Sequence, residues 1–186
     1  MAAVATDSLQ AQVDAAVRLG DPKAIVERIR EDLSLAIRDG SLRLPDVVRQ
    51  TFPDRYGRRL IFSNPELDYT AVAMTWGPGQ GTAIHDHAGI WCVEGVVEGE
   101  MEVTQFELEE ERDHLCRFQR KQSIQARVGS AGWLIPPYEH HVLANATALV
   151  AVTLHIYGGE MNQCDIFVPR ADGWCERQSR TLAYDN

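Results

Sequence analysis

The stretch AIHDHAGIWC, residues 83–92, decides how the rest of the chain is read. It sets two histidines one residue apart, with a cysteine five places after the second. In an extended strand, residues two apart point to the same face. His85 and His87 then project together, and Asp86 points away. Two neutral imidazoles from one strand can fill adjacent coordination positions of a metal. A third ligand must come from elsewhere. The other histidines are His114, His140, His141 and His155. His114 adjoins ELEEERD (107–113), which reads as a charged turn on an exposed rim, and is set aside.

Outward from this stretch, two periodicities divide the chain. Residues 1–50 read as helical. In TDSLQAQVDAAVRLG, Leu9, Val13 and Val17 recur at helical spacing, and Gly20 is a stop. In DPKAIVERIREDLSLAIRDG, Asp21 caps, Pro22 takes the first helical position, Ile25, Val26, Ile29 and Leu33 form one apolar face, and Gly40 ends it. A short third helix is expected after Pro45. From Tyr56 to about residue 170 the segments become short and rich in β-branched and aromatic residues, with turn signals between them: RRLIFS, YTAVAMTW, IWCVEGVVEG, EMEVTQFEL, HLCRFQ, SIQARV, GWLIP, ALVAVTLHIY and CDIFV. Many short strands at close spacing predict a sandwich or barrel. The layout is mainly β: an N-terminal helical segment packed on an antiparallel β-barrel, in one domain spanning 1–186.

Glycines frame the histidine pair. Gly79 precedes His85 with five residues between, and Gly99 follows Cys92 with six between. This frame resembles the first motif of the cupin superfamily, whose barrel is a jelly roll. Cys92 stands where that motif has an acidic ligand. PPYEHHVLAN (136–145) resembles the second motif, with Pro136, His141 and Asn145 in register and Tyr138 in place of a glycine. The resemblance makes His141 the third ligand. His140, its strand neighbour, faces the other way.

From Tyr56 to about Phe167 the chain resembles, more narrowly, the cysteine dioxygenases. YGRRL is similar to their carboxylate-binding segment, WGPGQGTAIHDH to the lead-in to their first two iron ligands, TLHIY to their Ser-x-His-x-Tyr segment, and CDIF to a later cysteine segment. The resemblance implies Fe(II) bound by His85, His87 and His141. It implies substrate contacts from Arg58, Tyr56 and Tyr157. It implies a catalytic group of Tyr157, His155, Cys92 and Thr153, in which His155 orients the tyrosine hydroxyl and Thr153 stands for the family serine. In the animal-type enzymes the residues matching Cys92 and Tyr157 form a thioether. Thr153, His155 and Tyr157 alternate along one strand and can share a cavity. Arg59 would point opposite to Arg58, and a slip of one residue would exchange them. Read alone, either arginine is a solvated surface charge.

Three neutral ligands would leave the full charge of a divalent metal to an anionic substrate, and a thiolate suits it. Oxidising a thiol to a sulfinate removes four electrons, and dioxygen accepts four, so no reducing cosubstrate is required. No Rossmann fingerprint or phosphate-binding loop is present. The expected partners are a small thiol and O2, with L-cysteine first and 3-mercaptopropionate or mercaptosuccinate as alternatives. HIYGGEMNQC (155–164) lacks the paired prolines common in animal-type enzymes, which favours the alternatives. A different cupin enzyme or a non-catalytic ligand-binding cupin are the rival classes.

Bulk properties fit. The 186 residues are 45% hydrophobic and 24% charged, with a net charge of −9. No basic stripe marks a nucleic-acid surface. No apolar run reaches the roughly 18 residues that suggest a membrane span. The N-terminus lacks a secretion signal, so a cytoplasmic location with free thiols is expected for Cys92, Cys116, Cys164 and Cys175. Nothing in the sequence specifies an oligomer.

Overall fold

A computed structural model describes residues 4–185. Two helices come first, α1 (Val4–Val17) and α2 (Pro22–Arg38), then a 3-10 turn at Asp46–Arg49 where the short third helix was expected. Asp21 caps α2, its carboxylate accepting from the Ala24 N–H at 2.9 Å, with Pro22 in the first turn. Eleven strands follow: β1 (Gly57–Asn64), β2 (Tyr69–Trp76), β3 (Ile84–His85), β4 (Cys92–Glu98), β5 (Glu100–Arg112), β6 (Leu115–Arg127), β7 (Ala131–Leu134), β8 (His141–Ala144), β9 (Ala151–Tyr157), β10 (Gln163–Pro169) and β11 (Cys175–Thr181).

They form two antiparallel layers. One is ordered β1-β2-β9-β4-β7, the other β10-β11-β6-β5-β8-β3. Ile25, Val26, Ile29 and Leu33 of α2 are buried in one cluster with Val93, Val152, Leu154 and Ile156 of the first layer. The helices therefore close the outer face of that layer, and its inner face turns toward the second. Gly95 permits this approach: a Cβ there would lie 2.9 Å from Leu33 Cδ2. The two motif glycines have a local reason as well. Gly79 and Gly99 sit at φ +75° and +73°, in the left-handed region that favours glycine. Asn145, the motif asparagine, is fully buried, and its amide donates to Trp76 O at 3.0 Å and Leu149 O at 2.7 Å, tying β8 to the end of β2.

Three readings need correction. ELEEERD is not a rim turn: β5 runs on to Arg112 and the turn comes at Asp113. The acidic run stays extended because basic partners face it. Glu110 meets Arg117 at 3.3 Å, Glu111 meets Arg177 at 2.9 Å, and Glu107 pairs with Lys121. HLCRFQ and SIQARV are one strand, β6. The barrel also extends past residue 170, since β11 pairs with both β10 and β6.

Candidate metal centre

Three short backbone segments bring the histidines together. His85 lies in β3, where it is the cross-strand partner of His141 in β8 and of Ile166 in β10. His87 lies two residues past the end of β3. Asp86 faces away and locks the turn: its Oδ1 accepts from the Asp165 N–H at 2.9 Å. The ring centroids are 5.3 Å apart for His85 and His87, 4.6 Å for His85 and His141, and 5.0 Å for His87 and His141. One nitrogen from each ring falls within 4.8 Å of the other two. The Nε2 atoms of His85 and His141 are 3.2 Å apart.

This arrangement fits a divalent cation. Burial holds the pKa of His85 down at about 3 and that of His141 well below the usual imidazole value, with neighbouring histidines adding to both shifts. Both rings are neutral near pH 7 and offer lone pairs. Carboxylates stand behind them. Glu139 Oε2 accepts from the His87 N–H at 2.8 Å and lies 3.6 Å from His87 Nδ1. Glu94 Oε1 lies 4.0 Å from His141 Nδ1. Acidic side chains placed behind metal-binding imidazoles fix ring orientation. His140 points elsewhere, into Phe118 and Phe167 with centroids at 5.0 and 5.3 Å.

The other expected site residues line the inner face of β9 and β4 or sit beside it. Cys92 is the direct cross-strand partner of Tyr157, Glu94 of His155, and Val96 of Thr153. Both Cys92 and Tyr157 are buried, and burial raises both pKa values well above normal. Trp76 Nε1 donates to Thr153 Oγ1 at 2.9 Å, and that hydroxyl lies 2.8 Å from His155 Nε2. The other ring nitrogen, Nδ1, lies 3.5 Å from Glu94 Oε2. The His155 ring is stacked against Tyr157, with centroids 5.9 Å apart and 17° between planes. The polar contacts of His155 thus run to Thr153 and Glu94, whereas a contact with the tyrosine hydroxyl was expected.

Arg58 and Arg59 diverge as adjacent strand residues must. Neither is solvated: they are 4% and 5% exposed. Arg59 turns outward from the barrel to Gln50 O at 2.9 Å and Thr75 Oγ1 at 3.3 Å. Arg58 faces a small cavity that it shares with Tyr56, His85, Tyr157 and Cys164. Its Nη2 donates to Met161 O at 2.9 Å and its Nη1 to Ala183 O at 3.3 Å, while Nε has no partner. Asp185 Oδ2 accepts from the Arg58 backbone N–H at 2.7 Å, but among the described residues the guanidinium has no carboxylate partner. A buried guanidinium without a counter-charge is a costly arrangement unless an anion completes it.

Sequence reasoning missed Glu94 and Glu139. Glu94 was findable: in CVEGVV it lies two residues from Cys92 and so shares the inward face. Burial pushes its pKa up to about 8, so it holds a proton near pH 7. Glu139 carried no such signal, because it lies in an irregular loop.

The cysteine dioxygenase type I family matches residues 50–170. This chain belongs to that family. The cysteine dioxygenase match spans β1 to β10 and includes all three clustered histidines, Arg58, Cys92 and Tyr157. Several solved structures resemble this chain, with TM-scores below 0.5. A double-stranded β-helix protein from Klebsiella pneumoniae subsp. pneumoniae is 17% identical, with a TM-score of 0.49 over 62% of this chain and 88% of that one. An RmlC-like cupin from Desulfovibrio desulfuricans is 17% identical, with a TM-score of 0.45 over 64% and 99%. Oxalate oxidase in complex with glycolate is 17% identical, with a TM-score of 0.46 over 59% of this chain and 53% of that enzyme.

Proposed function

We propose that this cysteine dioxygenase-family chain is an Fe(II) enzyme that adds both atoms of O2 to the sulfur of a small carboxylate-bearing thiol. L-cysteine is the first candidate. The observation that carries the reading is Arg58: a buried, unpaired guanidinium in the same cavity as His85 and Tyr157. The reaction balances without a further reductant, as R–S⁻ plus O2 gives R–SO2⁻. His85, His87 and His141 would hold the iron, which when bound would keep the thiol deprotonated and let sulfur and dioxygen meet.

The chain's own residues do the rest. Arg58 would give the substrate carboxylate two parallel hydrogen bonds, which fixes orientation as well as charge. Tyr157, with its pKa raised by burial, keeps its proton and can donate a hydrogen bond to the bound reactants. Thr153 holds the His155 ring against Tyr157. The facing of Cys92 and Tyr157 across β4 and β9 supports the thioether of the animal-type enzymes. Its formation would remove one hydrogen from sulfur and one from the tyrosine ring, with O2 as oxidant. The four cysteines are free thiols, which supports a reducing, cytoplasmic setting. Among the described residues no helix is long and apolar enough to cross a membrane.

One observation favours a second reading. The cavity at Arg58 is lined by no carboxylate that could meet an ammonium group. A thiol acid without an amine, such as 3-mercaptopropionate or mercaptosuccinate, would fit it equally well. Iron-loaded protein given L-cysteine, 3-mercaptopropionate and mercaptosuccinate separately should consume one O2 per sulfinate formed with the true substrate. Failure to form sulfinate from any of the three overturns the reading. Tryptic mass analysis reads the thioether separately, as the loss of two hydrogens from the Cys92–Tyr157 pair.

A further inference from the structure

Two voids approach the histidine cluster, and Leu143 lines both. The one at Arg58 measures about 20 Å³. The other, between the two layers, measures about 110 Å³ and has His141, Glu94 and Thr153 at its inner end. Its walls are mostly apolar: Val96, Met101, Val103, Ala126 and Leu143. It reaches the surface beside Ile124 and Trp133, which are 51% and 37% exposed.

We propose that the larger void is the dioxygen-binding site and entry route, separate from the door used by the thiol. This rests on the thiol dioxygenase reading above. The argument is one of room and polarity. The void at Arg58 is about the size of one water molecule, smaller than a carboxylate-bearing thiol, so an anionic thiol must spread its walls to bind and leaves no passage there for a second reactant. The second reactant is an uncharged diatomic gas. Apolar cavities accept such gases, as they accept xenon. A carboxylate-bearing thiol is excluded from the same walls by its desolvation cost. The two substrates thus enter by chemically different doors and meet at the cluster.

Gly132 provides the test. It is the cross-strand partner of Glu94, so a side chain there points into the barrel, and a Cβ at this position meets nothing within 4 Å. Gly132 is exposed at the mouth of the void, so Gly132→Phe should fold and close that mouth. The first measurement uses dissolved O2 as a paramagnetic probe of methyl relaxation in zinc-loaded protein, which needs no turnover. Methyls of Val96, Met101, Val103 and Leu143 should relax faster than those of Leu33 and Leu154 under the helices, and Gly132→Phe should erase the difference. The second uses iron-loaded protein: Gly132→Phe should raise KM for O2 about tenfold and leave KM for the thiol within about twofold. Equal relaxation in the two regions overturns the proposal. So does an unchanged KM for O2 in a variant whose relaxation difference has gone. Enhanced relaxation in a protein that forms no sulfinate supports the gas site and sinks only the thiol reading.

Discussion

The two faces of the layer β1-β2-β9-β4-β7 are made from the same strands and do opposite work. In β9, Val152, Leu154 and Ile156 face the helices, whereas Thr153, His155 and Tyr157 face the barrel. All seven residues of β9 are buried, so exposure does not tell the faces apart. An ordinary half-covered sheet puts polar groups toward water. Here helices cover one face and the second layer covers the other, so the polar groups lie inside. Trp76, Thr153 and His155 are joined there by hydrogen bonds, while Glu94 Oε2 and the Nδ1 atoms of His87, His141 and His155 have no hydrogen-bond partner. The lesson is that two-residue alternation between apolar and polar, inside a fully buried strand, marks a site.

That contrast can be broken from either side. His141→Ala acts on the inner face and should have the largest effect: metal retention and thiol oxidation both fall to background, measured by metal analysis and O2 uptake, while the circular dichroism spectrum is unchanged. Leu154→Ala, one residue from His155, should cost about 2–5 kcal/mol of stability in denaturant unfolding, with KM unaltered in the folded fraction. An equal loss of stability from both variants would erase the distinction between the faces. Arg58→Gln removes the charge-assisted contact, worth about 1.5–3 kcal/mol, so KM for the thiol should rise about tenfold to a hundredfold with the metal still bound. Arg59→Gln should leave KM unchanged, because its guanidinium serves Gln50 and Thr75.

The smallest effect concerns the rim where α1 meets the sheet. Asp14 accepts hydrogen bonds from the Tyr69 hydroxyl and from Asn64 Nδ2, and the tyrosine bond chiefly holds its pKa below the usual carboxylate value. A lowered folded pKa stabilises the protein above the unfolded value of 3.8 and is lost as pH falls through the folded one. Asp14→Asn should therefore lower the melting temperature by a few degrees near neutrality, and the gap from the parent protein should close below about pH 3.8. A gap that persists there would mean the loss was packing rather than charge.

Much of the molecule was legible in its sequence, and the exceptions share a cause. α2 declared itself through Asp21, Pro22 and its apolar stripe. The His-x-His pair, Gly79, Gly99 and Asn145 announced the motif, and each has a visible local role. Only two residues around His85 are strand, yet the three imidazoles still converge, because β8 and β10 hold His85 from both sides. By contrast, CERQSRT has almost no strand propensity and becomes β11 only because β10 and β6 pair with it. The acidic end of β5 likewise depends on Arg117, Lys121 and Arg177 across the ladder. Partners distant in sequence decide such segments, and local composition does not record them.

Gly95 has a wider consequence. It sits on β4 between Glu94 and Val96, and its missing side chain is what lets Leu33 rest against the strand. The strand that carries the inner polar ladder is thus held in place by an outer contact without chemistry of its own. Substitutions at Leu33 or Ile37, which both press on this glycine, have a short route to the polar ladder through the strand backbone. Gentle warming that loosens the helix should therefore dull turnover before the protein melts.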